Sequence, residues 1–121
     1  MGRKEKSICE QSRMKKKILN KITNWEAKDF NGLFEYIREH WKYADSGYFE
    51  SFTDAYELHT AGWSENEEII SALMKNYVFW MMYWVMSKRG GHFWFCKNEK
   101  SREKLLSTEE CKNYFSEEKQ E

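Results

Sequence analysis

The fold of this chain is decided by the stretch Leu58-His59-Thr60-Ala61-Gly62-Trp63-Ser64-Glu65-Asn66-Glu67-Glu68, where a strand-like alternation meets a glycine turn and a helix start. Ser64 and Glu67 are spaced as in a capping box, in which a hydroxyl and a carboxylate each accept a backbone N–H. The stretch therefore predicts a helix that begins at Ser64. A junction of this kind places polar side chains and unpaired backbone N–H groups together, which is typical of small-ligand sites.

Before this junction, apolar and polar residues alternate with a period of two residues. Residues 48–60 alternate in polarity and favour a β-hairpin that turns at Thr53-Asp54, although this dipeptide lacks the glycine that tight turns prefer. A short helix across Thr53–Ala61 is the alternative. In the hairpin, His59 points away from the Tyr56 face and is available to solvent or to a ligand.

After the junction, the helix is followed by ten consecutive apolar residues, Tyr77 to Met86. In one interpretation the helix continues, fully buried, to Lys88. In the other, it ends near Tyr77–Phe79 and a buried strand begins. The content of aromatic and β-branched residues favours the strand, and Lys88–Gly91 before His92–Cys96 is typical of a hairpin turn and its return strand.

Two helices are predicted upstream of the hairpins. The first spans about residues 14–24 and has an apolar stripe formed by Ile18, Leu19, Ile22 and Trp25. The second is strongly amphipathic, with Phe30, Leu33, Phe34, Ile37 and Trp41 on one face. Thr23 and Glu26 repeat the capping-box spacing between the two helices.

These segments together predict an α+β fold with N-terminal helices packed on a small antiparallel sheet of two hairpins, and a helix between the hairpins. A mostly α fold is the alternative. The 121 residues suffice for one domain. We expect a flexible basic segment at residues 1–13, a single α+β domain at 14–97, and a charged tail at 98–121. The tail contains a weak helix with Ser107 and Glu110 as its cap and with Leu105, Leu106, Cys111, Tyr114 and Phe115 as packing residues.

Composition narrows the functional class. The 20 Lys and Arg residues balance the 20 Asp and Glu residues, and the basic excess lies near the N-terminus. Three widely spaced cysteines form neither a disulfide framework nor a zinc motif, which favours a reducing cytoplasm. The apolar run at 77–86 is shorter than the roughly 20 residues that span a bilayer, and no signal peptide precedes it. We therefore predict a soluble cytoplasmic protein.

Two glycine turns are the candidate ligand-binding elements. Acidic residues after Ser64 disfavour a phosphate and favour a hydroxyl-rich or amine-bearing group. The turn Lys88–His92 has the opposite charge and is suited to an anion. If both turns lie at one end of the sheet, they frame a cleft with Trp63, Trp84 or Trp94 for stacking, which suits a nucleotide-like ligand. The predicted ligand-binding residues are His59, Thr60, Gly62, Trp63, Ser64, Asn66, Glu67, Trp84, Arg89, Gly90, Gly91 and His92.

Catalysis, metals and nucleic acid have weaker support in the sequence. Ser64 lies in no nucleophile-elbow motif, so we predict no catalytic residue and no enzyme activity. His92 and Cys96 offer only two metal ligands, so no metal or cofactor is predicted. The basic N-terminal segment is the only feature that favours nucleic acid, and no helix-turn-helix or RNA-stacking motif accompanies it.

The residues Leu58–Glu67, Phe79-Trp80, Trp84, Ser87 and Arg89–His92 resemble a family of small, uncharacterised phage and prophage proteins. The family pattern reads leucine-histidine-threonine-glycine-glycine-tryptophan-serine-glycine-asparagine-glutamate, then Phe-Trp, then Arg-Gly-Gly-His ending in aromatic residues. The resemblance covers residues 25–96, and Ala61 and Glu65 replace two of its glycines. It implies a phage accessory origin, with the host cytoplasm as location, and no established activity.

Phage accessory proteins of this size commonly act by stoichiometric binding, which gives two hypotheses. The first is capture of a small nucleotide-like or polar ligand, such as a host defence signal. The alternative is a protein–protein inhibitor of a host defence or enzyme complex, of the anti-CRISPR type. The first requires the two turns to adjoin in a cleft, and the second requires an exposed aromatic or acidic surface. A homodimer is expected because the ring-rich segment Tyr77–Phe95 exceeds what a small sheet covers.

Overall fold

The chain has an α+β fold in which helices and one antiparallel sheet enclose an aromatic core. The computed structural model describes residues 8–108, with side chains from Gln11 onward. The helices are α1 (Ile8–Thr23), α2 (Phe30–His40), α3 (Ser64–Lys75), α4 (Tyr77–Tyr83) and α5 (Glu99–Leu106). The strands are β1 (Phe49–Phe52), β2 (Ala55–His59), β3 (Trp84–Lys88) and β4 (His92–Cys96), and a 3₁₀ turn at Ala44–Ser46 follows α2.

The sheet consists of the two predicted hairpins, placed side by side. Its strand order is β1-β2-β4-β3, and all neighbouring strands are antiparallel. The first hairpin turns at Thr53-Asp54, where Asp54 adopts a φ of 57°. Aspartate tolerates this left-handed conformation better than most residues, which explains a tight turn without glycine. The hairpin prediction is confirmed, and the alternative helix across Thr53–Ala61 is wrong.

Helices α1 to α4 pack on one face of the sheet, which we call the inner face. Phe34 of α2 lies at its centre, with ring centroids 4.5 Å from Tyr56, 5.6 Å from Phe79 and 5.0 Å from Phe95. The stripe predicted for α2 is buried in full, from Phe30 to Trp41. Periodicity alone therefore identified the main helix of the core.

Asn76 separates α3 from α4 and explains why α3 ends there. Its side-chain oxygen accepts the N–H of Phe79, and its amide nitrogen donates to the carbonyls of Ile22 and Trp25. These bonds end α3 at Lys75 and begin a new helix at Tyr77. The second hairpin exists as predicted, but its first strand begins at Trp84 instead of near Tyr77–Phe79.

Residues 77–83 also differ from the prediction in burial. They form a short helix, not a buried strand, and only Phe79 and Tyr83 face the core. Tyr77, Val78, Met81 and Met82 lie on its outward face and are exposed. Apolar character therefore did not mean burial here, because no described element covers this side of α4.

Two of the three predicted capping boxes, those at Ser64 and Thr23, are absent from the described structure. Helix α3 begins at Ser64 as predicted, but the Ser64 hydroxyl donates to Glu65 and caps no backbone N–H. Thr23 is the last residue of α1, and its hydroxyl donates to the carbonyl of Ala72 in α3. Both hydroxyls are used elsewhere, so the spacing alone was misleading.

The domain extends further at both ends than the sequence predicted. Helix α1 begins at Ile8, not near Met14. Helix α5 precedes the predicted tail helix and ends where that helix was expected to begin, with Ser107 as its C-cap. A capping box between Asn98 and Ser101 starts α5. Residues 1–7 and the predicted packing residues Glu110, Cys111, Tyr114 and Phe115 lie outside the described residues.

Candidate ligand-binding site

The two glycine turns lie side by side at one end of the sheet. The N–H of Thr60 donates to the carbonyl of Gly91 at 2.9 Å, and His59 is the register partner of His92. Gly91 has a φ of 84°, and a Cβ there would overlap the Thr60 hydroxyl. Glycine is therefore required at this position both by conformation and by space. The condition for a cleft between the turns, that both lie at one end of the sheet, is therefore met.

Two of the predicted ligand-binding side chains face the interior instead. Asn66 has no exposed surface, and its amide accepts the N–H of Lys42 at 2.8 Å and donates to the carbonyls of Lys42 and Thr60. Thr60 is 2% exposed. Neither side chain has surface to offer to a ligand, which corrects the prediction. Asn66 instead ties α3 to the segment that leads into β1.

Two of the predicted tryptophans make their ring contacts with residues other than the histidines. Trp63 packs on Tyr43, with ring centroids 5.3 Å apart, and the Lys42 ammonium lies over its ring at 4.8 Å. Trp84 is in β3, two strands from β2, where it stacks on Trp80 and donates its indole N–H to Ser87. Of the three tryptophans assigned to the predicted cleft, Trp94 is the one whose ring lies beside a histidine of the turns.

The remaining predicted residues surround the turns on the protein surface. Arg89 and Gly90 form the exposed tip of the second hairpin, and Gly62, Ser64 and Glu67 are exposed at the start of α3. The glycines have positive φ values, 78° for Gly62 and 91° for Gly90. The basic and the acidic turn are thus both at the surface.

The second face of the sheet, which α1 to α4 do not cover, carries a row of polar and aromatic side chains. We call it the outer face. Strand alternation places Glu57 and His59 of β2 there, next to their register partners Trp94 and His92 of β4. Leu105 and Leu106 of α5 pack on Trp94 and Met86 and so cover part of this face.

The histidines form a compact stack on the outer face. The rings of His59 and His92 lie 3.8 Å apart at 20°, and the His92 ring is also parallel to that of Trp94 at 5.9 Å. His92 Nδ1 is 3.9 Å from a carboxylate oxygen of Glu57, which is beyond hydrogen-bond distance, and has no hydrogen-bond partner.

The pKa of His92 is lowered by its surroundings. Burial is the largest cause, and the neighbouring His59 and Lys88 add to it. Burial lowers the pKa of a histidine because the charged form loses more solvation than the neutral form. The Glu57 carboxylate acts in the opposite direction, but at 3.9 Å without a hydrogen bond it does not outweigh the other causes. The surroundings of His92 therefore favour its neutral form.

A cavity of about 580 Å³ lies on the outer face between the sheet and α5. Trp94, Ala55 and Glu57 form its floor, and α5 forms one wall. The complete lining consists of Ser51, Phe52, Thr53, Ala55, Glu57, Trp94, Ser101, Lys104, Leu105 and Thr108. Glu57 lies both at this cavity and next to His92, so the cavity and the histidine stack are parts of one surface.

The sequence prediction missed most of the cavity residues. Lys104 and Ser101 were assigned to a charged tail because α5 was expected further along the chain. The spacing of Asn98 and Ser101, which forms the observed capping box, was the available signal. Glu57 and Trp94 were identifiable from strand alternation, since they fall opposite the buried Tyr56 and Phe95.

A different surface surrounds α4. Six large apolar side chains between positions 74 and 84 are at least 40% exposed, and we call this group the α4 surface. Its members are Met74, Tyr77, Val78, Met81, Met82 and Trp84. Exposure reaches 75% for Tyr77 and 82% for Met81. It is a contiguous feature because most of these residues share the outward side of one short helix.

Comparison with known proteins gave no match to a family model, to a curated protein or to a solved structure. In the part of the chain that the structure describes, no group of three or more His, Cys, Asp or Glu side chains is arranged to hold a metal ion. Within residues 8–108, no helix combines the length and the apolar character needed to cross a membrane.

Proposed function

We propose that this protein binds a small, planar, polar ligand in the cavity on its outer face and acts by stoichiometric capture. The observation that carries the proposal is the cavity of about 580 Å³ that combines an aromatic floor with one carboxylate and one ammonium group. Small-molecule sites in proteins are clefts of roughly 300–1,000 Å³ with apolar walls and a few orienting polar groups.

The cavity residues define the chemistry of the ligand. Trp94 offers a ring surface at the floor for a planar group. The Glu57 side chain is only 15% exposed, so its carboxylate favours a ligand N–H or amine over an anion. Lys104 on the α5 wall favours an anionic substituent. A nucleotide-like molecule has all three features.

The histidine stack extends this site toward the glycine turns. His92 is linked to the cavity through Glu57, and the neutral state favoured by its environment leaves one ring nitrogen as an acceptor. We therefore retain His59 and His92 as flanking contacts for a larger ligand. Trp63, Trp84 and the turn at Arg89 lie outside the proposed site.

The biological setting is part of the same proposal. The resemblance at Leu58–Glu67 supports a phage accessory origin, and a host defence signal in the cytoplasm is the ligand that we propose for such a protein. Inhibition of a host protein complex is the second candidate, and the exposed α4 surface supports it. We regard it as the weaker candidate, because exposure alone does not identify the chemistry of a partner.

Native mass spectrometry of the full chain, purified from infected or defence-induced cells, tests ligand capture. We expect a bound mass of a few hundred daltons that is released on denaturation. Titration of nucleoside monophosphates in a calorimeter then provides a defined probe. A protein without released small molecule that also binds no nucleoside monophosphate would overturn the proposal.

Variants of the cavity localise the binding. Lys104→Met should weaken nucleoside monophosphate binding by about 10-fold to 100-fold, the loss of one charge-assisted hydrogen bond. Lys100→Met is the matched control, because Lys100 is on the same helix and does not line the cavity. Equal affinity of both variants would place the ligand elsewhere. Glu57→Gln should distinguish amine-bearing bases, which lose affinity, from those without an amine.

A further inference from the structure

We propose that the outward side of α1 binds the phosphate backbone of double-stranded DNA, a function separate from ligand capture in the cavity. The inward side of α1 is packed, since Ile22 is fully buried and Ile18 and Leu19 lie against the core. In a helix with 3.6 residues per turn, the opposite side then faces solvent. We call this side the basic face, and its members are Arg13, Lys16, Lys17 and Asn20.

The cations of the basic face are exposed and are not used by the fold. Arg13, Lys16 and Lys17 are all exposed. Within the described residues, the ion pair formed by α1 is that of Lys15 with Glu68 of α3. Lys15 lies toward α3, so this pair leaves the charges of the basic face without a counterion from the described part of the protein. They are therefore available to an external anion.

A third cation continues the row along the helix. Arg13, Lys17 and Lys21 are each four residues apart, which places them one above the other on the helix surface. The Lys21 ammonium lies over the rings of Trp25 and Tyr36, at 5.5 Å and 4.8 Å from their centroids, and this contact holds its position. Like charges at this spacing destabilise a helix, and a bound polyanion removes that repulsion.

Charge is segregated between the N-terminal part of the described chain and the rest. Positions 11–28 contain six Lys and Arg residues and one acidic residue, Glu26. Positions 29–108 contain nine Lys and Arg residues against twelve Asp and Glu residues. The field of such a molecule attracts a polyanion to α1 and repels it from the remaining surface. The sequence showed the basic composition, and the structure adds that these charges share one exposed side.

The side chains of the basic face favour duplex DNA over other polyanions. A helix that lies on a membrane needs a free apolar side, and the apolar side of α1 is buried in the core. Single-stranded nucleic acid is held on exposed rings, and the basic face contains no aromatic residue. The major groove of duplex RNA is too narrow for side chains to enter, whereas that of DNA admits a helix. Cations and the amide of Asn20 suit phosphate contacts, which carry no sequence information.

Fluorescence anisotropy with a labelled DNA duplex of about 20 base pairs tests the proposal on the full chain. We expect a dissociation constant between about 1 and 100 μM at about 50 mM salt, with equal values for two unrelated sequences. Three phosphate contacts, from Arg13, Lys16 and Lys17, should weaken binding about 40-fold between 50 and 200 mM salt. Unchanged anisotropy at about 300 μM protein and the lower salt concentration would rule out this function.

A pair of double variants assigns the binding to the basic face. Arg13→Gln with Lys17→Gln should weaken DNA binding at least 10-fold at about 50 mM salt and reduce its salt dependence to that of one contact. Lys97→Gln with Lys100→Gln is the matched control, because it removes the same charge from exposed positions outside α1. Equal weakening by the two double variants would show that net charge, and not the basic face, is responsible.

Two further probes separate DNA from other anionic partners. Binding to vesicles of phosphatidylserine and phosphatidylcholine without binding to DNA would refute the proposal in favour of a lipid surface. Tighter binding of an RNA duplex of the same length would refute DNA as the partner. Nucleoside monophosphate binding in the cavity is an independent readout, because no residue of α1 lines it, and it should be the same in all four proteins compared at α1 and Lys104 except Lys104→Met.

Discussion

The two faces of the sheet are made by the same strands but have opposite roles. On the inner face, Tyr56 and Phe95 are register partners and are buried against Phe34. On the outer face, Glu57 and Trp94 are register partners at the floor of a cavity. Successive side chains of a strand point to opposite sides, so one sequence can specify packing and polar chemistry at alternate positions.

The inner face contributes mainly to stability, whereas the outer face offers groups for binding. The inner face consists of aromatic and aliphatic side chains whose burial drives folding. The outer face contains groups that cost free energy to bury, including the Glu57 carboxylate and the unpaired His92 nitrogen. Groups of this kind are retained where they contact a ligand or a partner more often than where they only stabilise a fold. The outer face is therefore the place to look for function.

The largest expected effect tests this contrast directly. Phe34→Ala on the inner face should lower the free energy of unfolding by about 3–5 kcal/mol, because it leaves a void among four aromatic rings. Phe52→Ala is the comparison, since Phe52 is 50% exposed beside the outer cavity, and it should cost less than about 1 kcal/mol. Urea unfolding measures both. Similar losses in the two variants would mean that the two faces contribute alike to stability.

A prediction of intermediate size compares the stability contributions of a buried and an exposed polar side chain at the start of α3. Asn66→Ala should cost about 1–3 kcal/mol, because it leaves the partly buried N–H and C=O groups of Lys42 unpaired. Ser64→Ala should change stability by less than about 0.5 kcal/mol, because this hydroxyl caps no helix N–H. Thermal unfolding of both variants is the measurement. A loss near 1 kcal/mol for Ser64→Ala would restore the capping box that the sequence predicted.

The smallest effect probes the outer face by its pH dependence. The pKa of His92 is lowered in the folded protein by burial and by the neighbouring His59 and Lys88, so the unfolded chain takes up this proton first as the pH falls. The titration of His92 therefore has no effect on the free energy of unfolding well above the ordinary histidine pKa. As the pH falls through that value, it lowers the free energy of unfolding. The groups around His92 are His59, Lys88, Glu57 and Trp94.

His92→Phe provides the comparison for the pH effect, because it keeps a ring next to His59 without a titrating nitrogen. We expect the wild-type protein to lose more stability than this variant between about pH 7.5 and pH 5, the range around the ordinary histidine pKa. The free energy of unfolding of both proteins is measured with denaturant at the two pH values. If the wild-type protein and His92→Phe lose the same amount, His92 titrates normally in the folded state.

Much of the architecture was predictable from periodicity. The stripe from Phe30 to Trp41 identified the central helix, and the alternation at residues 48–60 identified the first hairpin. Both signals are reliable because a helix or strand that is buried on one side must repeat its apolar residues with its own period. The proximity of the glycine turns depends on the pairing of β2 with β4, which the tertiary structure supplied.

The candidate site was less accessible to sequence reasoning. The prediction placed ligand contacts at the conspicuous residues of the two turns, but Asn66 and Thr60 are interior and Trp84 is at the far edge. The observed cavity depends on α5, whose start lies at Asn98 in a segment of ordinary charged composition. No local pattern announces that such a helix will pack across a sheet.

The sequence by itself determined the elements of this protein, namely the helical stripes, the two hairpins and the glycine turns, because these depend on local period and backbone conformation. Only the tertiary structure decided which residues are covered. It buried the polar Asn66, exposed the apolar Met81, and formed a cavity between Trp94 and Lys104. Burial depends on which elements meet in space, and that is a property of the packed chain rather than of any one segment.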